Sequence, residues 1–147
     1  MNLSNFAESL SELISLANLT SSEFADAIGF SRGTISQYLH ENKIPAVSHL
    51  IVMANYFDCS VDYLLGRETE KYPQIFKPVP PFKDRLPNLC KELKISKYKL
   101  QKTTGIAESA IYNWQRGDCS PNLESLLIIA EKFECSIDFI IGRSNIL

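Results

Sequence analysis

An offset of 76 residues maps much of this 147-residue chain onto itself without a gap. The segment GFSRGTISQYLHENKIP (29–45) returns in outline as GIAESAIYNWQRGDCSP (105–121), and FDCSVDYLLGR (57–67) returns as FECSIDFIIGR (133–143). Across the 62 aligned positions, 6–67 against 82–143, 14 residues are identical, among them Leu10/Leu86, Leu13/Leu89, Gly29/Gly105, Ile35/Ile111, Pro45/Pro121, Leu50/Leu126 and Asp62/Asp138. Most are core-type or turn-type residues, so the copies share a fold more securely than a surface. A period this long exceeds a solenoid unit and suits a duplicated small domain; domains of roughly 55–65 residues bury enough core to fold alone. The expected organisation is a first domain over 1–67, a connector over 68–81 and a second domain over 82–147.

The connector, ETEKYPQIFKPVPP, carries four prolines, which fix φ and remove backbone donors, so it reads as extended. At about 3.1 Å per residue it reaches roughly 40 Å. Tyr72, Ile75, Phe76 and Val79 are too apolar for a wholly solvated tether, and part of it is expected to pack on a domain.

Within the first copy, Phe6, Leu10, Leu13, Ile14 and Ala17 recur at helical spacing. Thr20 and Glu23 form a capping-box pair opening a second helix that ends at Gly29. Ser31 caps a third helix running to about Leu39; its counterpart Ala107 is a weaker cap. A fourth, strongly apolar helix follows Pro45, and Ser60 caps a short fifth one closed by Gly66. The second copy repeats the five, with Ser96, Asn122 and Ser136 as caps. The expected class is all-α: two five-helix domains in tandem. In each, the second and third helices form a helix–turn–helix, a geometry that lets the third helix enter a DNA major groove about 12 Å wide.

The stretch LTSSEFADAIGFSRGTISQYL resembles the helix-turn-helix core of the XRE family of lambda-repressor-like domains, and FDCSVDYLLGR resembles a common ending of such regulators. The resemblance covers about 124 of the 147 residues. It implies a sequence-specific transcriptional regulator, most simply a repressor, with double-stranded DNA as partner and a homodimer formed near the fourth and fifth helices. Two arrangements follow: a covalent pseudo-dimer on half-sites about 34 Å apart, or one domain on DNA with the other dimerising.

Ile35 and Ile111 take the inward position of the third helices, so the candidate DNA contacts lie on the opposite side. In the first copy these are Ser31, Arg32, Gly33, Thr34 and Gln37. Arg32 offers a fork to guanine, Gln37 pairs bidentately with adenine, and Thr34 meets a thymine methyl. In the second copy they are Glu108, Ser109, Asn113 and Arg116; Glu108 either accepts from a cytosine amine or repels phosphate. Ser21 and its counterpart Lys97 complete the set. Gly33 either admits close approach of DNA or is simply tolerated in a first turn. The second copy keeps the W-x-R-G turn (Trp114, Arg116, Gly117); the first has YLHE there, without glycine.

Charge divides unevenly. Residues 1–71 hold four Lys/Arg against nine Asp/Glu, and residues 72–147 hold eleven against eight, giving −5 and +3 within the overall −2. Lys94, Lys97, Lys99 and Lys102 surround the second helix of the second copy, either as phosphate contacts or as a solvated face. The acidic first copy also suits a basic protein partner, a competing role as an interaction module. A pI near 5.7 argues for weak non-specific DNA binding that falls steeply with salt.

No run approaches a membrane span, and MNLSNFAESL lacks signal-peptide features, so a cytoplasmic location is expected. Cys59, Cys90, Cys119 and Cys135 form no C-x-x-C pair, and His40 and His49 stand at no metal-ligand spacing from them; reduced, mostly buried thiols are expected, with neither metal nor cofactor. No phosphate loop, HExxH pair or GxSxG elbow is present, and no enzymatic activity is expected.

Overall fold

The computed structural model describes residues 4–68 and 75–147, which are helical with no strand among them. They fall into two compact units, Met1–Pro73 and Gln74–Leu147. The first contains α1 (Ser4–Leu16), α2 (Ser21–Ile28), α3 (Arg32–His40), α4 (Val47–Phe57) and α5 (Val61–Leu64). The second contains α6 (Phe82–Leu93), α7 (Lys97–Thr104), α8 (Glu108–Arg116), α9 (Leu123–Phe133) and α10 (Ile137–Ile141). Among the described residues no helix is long and apolar enough to cross a membrane.

Side-chain oxygens start the helices where the sequence suggests. Thr20 Oγ1 accepts from the Glu23 amide at 3.1 Å while Glu23 Oε1 accepts from the Thr20 amide at 3.0 Å, a complete capping box. Ser31, Ser60, Ser96, Asn122 and Ser136 each cap the helix that follows, whereas Ala107 offers no side-chain bond to α8. Left-handed residues recur in register as well: Asn18 and Lys94 (φ 60° and 58°), Gly29 and Gly105 (77° and 72°), Asp58 and Glu134 (both 51°). The register breaks after the third helix. Gly117 takes φ 82° in the second unit, but its counterpart Glu41 has φ −114° and the left-handed residue is Asn42, one place later. A Cβ disfavours that conformation by roughly 1–2 kcal/mol, and asparagine tolerates it better than glutamate.

Each core closes around an aromatic pair joining the first and third helices. Phe6 meets Tyr38 edge-on at 5.8 Å, and Phe82 meets Trp114 at 5.7 Å. The first unit adds Phe24 stacked on Phe57 at 5.1 Å, and His49 between Phe30 (4.3 Å) and the Tyr38 hydroxyl, 2.7 Å from Nδ1. Burial pushes the Tyr38 phenol up from its usual range. His49 is therefore a packing residue that joins α3 to α4. Cys59, Cys90 and Cys135 are buried, Cys119 is exposed, and none forms a disulfide.

The endings of the two copies share a bracket that differs in depth. Arg67 N donates to Asp62 O, and Arg143 N donates to Asp138 O, both at 2.8 Å. The side-chain pair is 3.3 Å in the first unit with Arg67 33% exposed, and 2.7 Å in the second with Arg143 1% exposed. Extra cover comes from residues ahead of α6. The Arg143 guanidinium lies 3.9 Å from the Phe76 ring centroid, Lys77 N donates to Arg143 O at 2.9 Å, and Lys77 Nζ donates to Asn145 Oδ1 at 2.6 Å. So Phe76 packs on the second unit and Val79 is half-buried, while Ile75 is 94% exposed and Tyr72 lies outside the described residues. Arg85, aligned with Ser9, is buried too: it donates to the carbonyls of Phe139 (2.6 Å) and Ile140 (3.2 Å) and to Glu92 (2.9 Å), fastening α6 to the end of α10.

Removing one partner of a buried ion pair leaves a desolvated charge behind, so Arg143→Ala should destabilise the second unit by about 3 kcal/mol. Arg67→Ala, at a partly solvated pair, should cost under about 1 kcal/mol. Hydrogen exchange of the core amides measures each unit separately; a loss of protection in the first unit of Arg67→Ala as large as that in the second unit of Arg143→Ala would contradict this ranking.

Candidate nucleic-acid interface

The two helix pairs, α2–α3 and α7–α8, are each joined by a three-residue turn whose first residue is the left-handed Gly29 or Gly105. Inward anchors set the rotation of the third helix. Ile35 and Tyr38 are buried in α3, as are Ile111 and Trp114 in α8. Helical periodicity then turns the first two residues and the sixth outward. Ser21, Ser31, Arg32 and Gly33 are exposed in the first unit, with Thr34 and Gln37 half-buried. In the second, Glu108, Ser109 and Arg116 are exposed, with Lys97 and Asn113 half-buried.

Several of these side chains already have partners. Arg32 Nη2 donates to Asp26 Oδ2 at 2.9 Å, reaching back from α3 to α2, and this hydrogen bond holds the Asp26 carboxyl below its usual range. Both groups are well exposed, at 66% and 60%, so the pair is readily traded for another contact. Ser31 Oγ accepts from the Thr34 amide at 3.1 Å and sits 2.7 Å from the Thr34 hydroxyl. Lys43 Nζ donates to Gln37 Oε1 at 3.0 Å. Because lysine only donates, that contact fixes which end of the amide is oxygen. The bidentate adenine pairing expected of Gln37 therefore meets a competitor for its oxygen.

Gly33 has an ordinary φ, and a Cβ built on it would meet no atom within 4 Å. Nothing inside the protein asks for glycine there.

In the second unit the structure brings together residues from both helices. Lys97, Tyr98 and Gln101 of α7 and Glu108, Tyr112 and Gln115 of α8 line a notch of about 180 Å³. Tyr98 and Tyr112, absent from the sequence-derived set, are 67% and 55% exposed, with Lys102 Nζ 5.4 Å and Arg116 Cζ 5.6 Å from their ring centroids. They align with Ser22 and Ser36, and the same periodicity that turned Asn113 outward held the signal for them. Arg116 also pairs with Asp118 at 3.4 Å. Lys94, Lys99 and Lys102 are exposed, where the first unit has Asn18, Glu23 and Asp26.

The family model described as helix-turn-helix matches the chain twice, over residues 10–64 and 88–140. Among curated proteins, the chain is 30% identical over 70 residues to the uncharacterized HTH-type transcriptional regulator YobD of Bacillus subtilis (strain 168), covering 48% of this chain and 62% of that protein. It is 37% identical over 51 residues to Repressor protein C2 of Salmonella phage P22, covering 35% of this chain and 24% of that one. The chain thus spans less than two thirds of the length of either relative. No solved structure matches it significantly.

Two stability outcomes follow. Gly33→Ala should raise stability by roughly 0.5–1 kcal/mol, the helix-propensity gain at a position with free space. Asp26→Asn should leave the melting temperature almost unchanged; a drop of several degrees would show that the exposed pair supports the turn.

Proposed function

The chain belongs to the helix-turn-helix family, and from that premise we propose that it is a sequence-specific DNA-binding transcriptional regulator acting as a repressor, reading the major groove with α3, α8 or both. The observation that carries this reading is the duplicated third helix, anchored inward by Ile35 or Ile111 and presenting polar side chains on its outward face. Arg32 reaches the O6 and N7 edge of guanine once it exchanges Asp26 for the base, and Asn113 takes adenine. Ser21, Ser31, Lys97 and Arg116 meet phosphates and set the register. Gly33 supplies a bare stretch of backbone that lets α3 lie close to the base edges. The names of the two relatives, a transcriptional regulator and a repressor, support the same class. A homodimer is compatible with either arrangement of the units.

One observation favours a second reading, a basic protein partner on the first unit. The outer side of α1 forms an open groove in which Glu8 and Glu12 lie beside Leu16 and Leu39, with Leu16 70% exposed. Such a groove fits the apolar face of a lysine-rich helix.

Binding of the intact chain to duplexes enriched from a randomised library tests the main reading. Affinity should fall at least about tenfold between 50 and 200 mM salt, as for the two phosphates neutralised by Lys97 and Arg116. Arg32→Ala should weaken binding by about tenfold to a hundredfold and relax one base position, whereas Lys97→Ala should weaken all sequences alike and lower the salt slope by about one. Gly33→Ala should bind DNA more weakly although it is the more stable protein. Absence of any enriched duplex would overturn the reading and favour the protein partner.

A further inference from the structure

We propose that the DNA taken by this chain is built from two unlike half-sites, a guanine block read by α3 and an amino-edge block read by α8, rather than one block repeated. This rests on the DNA-binding reading above. The aligned scaffold positions are kept while every outward position differs. Inward, Ile35 matches Ile111 and Tyr38 is replaced by another aromatic, Trp114. Outward, Ser31 faces Ala107 in the alignment, Arg32 faces Glu108, Gly33 faces Ser109, Thr34 faces Ala110 and Gln37 faces Asn113. Two identical blocks cannot satisfy both sets.

The difference is one of hydrogen-bonding sense. The α3 face is led by a donor: the Arg32 guanidinium carries no acceptor, and beside it the Gln37 oxygen is shared with Lys43. Donors of this kind meet acceptors, and guanine presents two of them, O6 and N7, in the major groove. The α8 face is led by an acceptor. The Glu108 carboxylate matches the cytosine N4 amine, and Asn113 pairs its oxygen with adenine N6 and its NH2 with N7. Placing Glu108 against guanine O6 and N7 sets acceptor against acceptor, and placing Arg32 against an amine sets donor against donor.

The surroundings compensate for these opposite senses. A carboxylate near phosphates needs positive neighbours, and Glu108 shares its notch with Lys97 while Lys99 and Lys102 stand exposed on the same helix. A guanidinium needs none, and around Arg32 the aligned positions carry Glu23 and Asp26, the latter bonded to Arg32 itself. Tyr98 and Tyr112 add to the second unit phenol hydroxyls and ring faces that the serines at 22 and 36 do not provide.

The test uses the intact chain and two converted variants in selection from a randomised duplex library. In one, Ala107→Ser, Glu108→Arg, Ser109→Gly, Ala110→Thr and Asn113→Gln give α8 the outward set of α3; in the other, Ser31→Ala, Arg32→Glu, Gly33→Ser, Thr34→Ala and Gln37→Asn do the reverse. The intact chain should select two unlike blocks, and the first variant the guanine block twice. As a check that needs no variant, the intact chain should lose about tenfold to a hundredfold in affinity when either block of its selected duplex is replaced by the other. If the intact chain selects one block repeated, a single block, or tolerates the exchange, this inference fails while DNA binding stands. No enrichment at all would overturn both.

Discussion

The edge-on contact of Phe6 with Tyr38, repeated as Phe82 on Trp114, holds the third helix of each unit against the first, and the rest of the interface depends on it. These pairs, with Ile35 and Ile111 beside them, set the rotation of α3 and α8 about their own axes. A helix advances 100° per residue, so fixing two inward side chains determines which others point away. Aromatic contacts suit this role because a large buried area is combined with a directional preference worth roughly 0.5–1.5 kcal/mol beyond burial. An aliphatic core of the same area would bury the helix without fixing its rotation as firmly.

The second unit adds two arginines that the first lacks in buried form. Arg143 is enclosed by Asp138 and Phe76, and Arg85 satisfies two carbonyls at the end of α10 as well as Glu92. Buried guanidinium groups remain ionised, so each needs a complete set of acceptors. Gly142 belongs to the same construction: a Cβ there would stand 3.0 Å from Arg85 Cδ and 3.1 Å from Pro80 Cδ, and its φ is 84°. The short α5 and α10 are thus held by polar contacts from outside the helix, which a four- or five-residue helix needs because its own hydrogen bonds are too few to sustain it.

On the outward side, energetics run the other way. The Arg32–Asp26 and Arg116–Asp118 pairs are exposed and exchangeable, so they hold side chains in place without committing them. The first unit is acidic where the second carries exposed lysines, so the outward faces of the two helix pairs differ in charge. A duplicated scaffold with diverged surfaces is the physical form that this takes.

Much of the architecture was legible in the residues themselves because it is local. Capping oxygens act within three residues, left-handed glycines act at one residue, and apolar spacing of three and four defines a face; Thr20, Ser31, Gly29 and Ile35 therefore announced the helix pair, and the 76-residue offset announced its repetition. The outward set followed from the same periodicity, but Tyr98 and Tyr112 were not in it, and their exposure took coordinates to see. What tertiary structure alone decided are contacts between residues that only a folded turn or distant packing brings together: Arg32 with Asp26 across the turn, Lys43 on the oxygen of Gln37, and Phe76 over Arg143. None of these has a sequence period, because each depends on where a long side chain ends in space rather than on where its Cα lies in the chain.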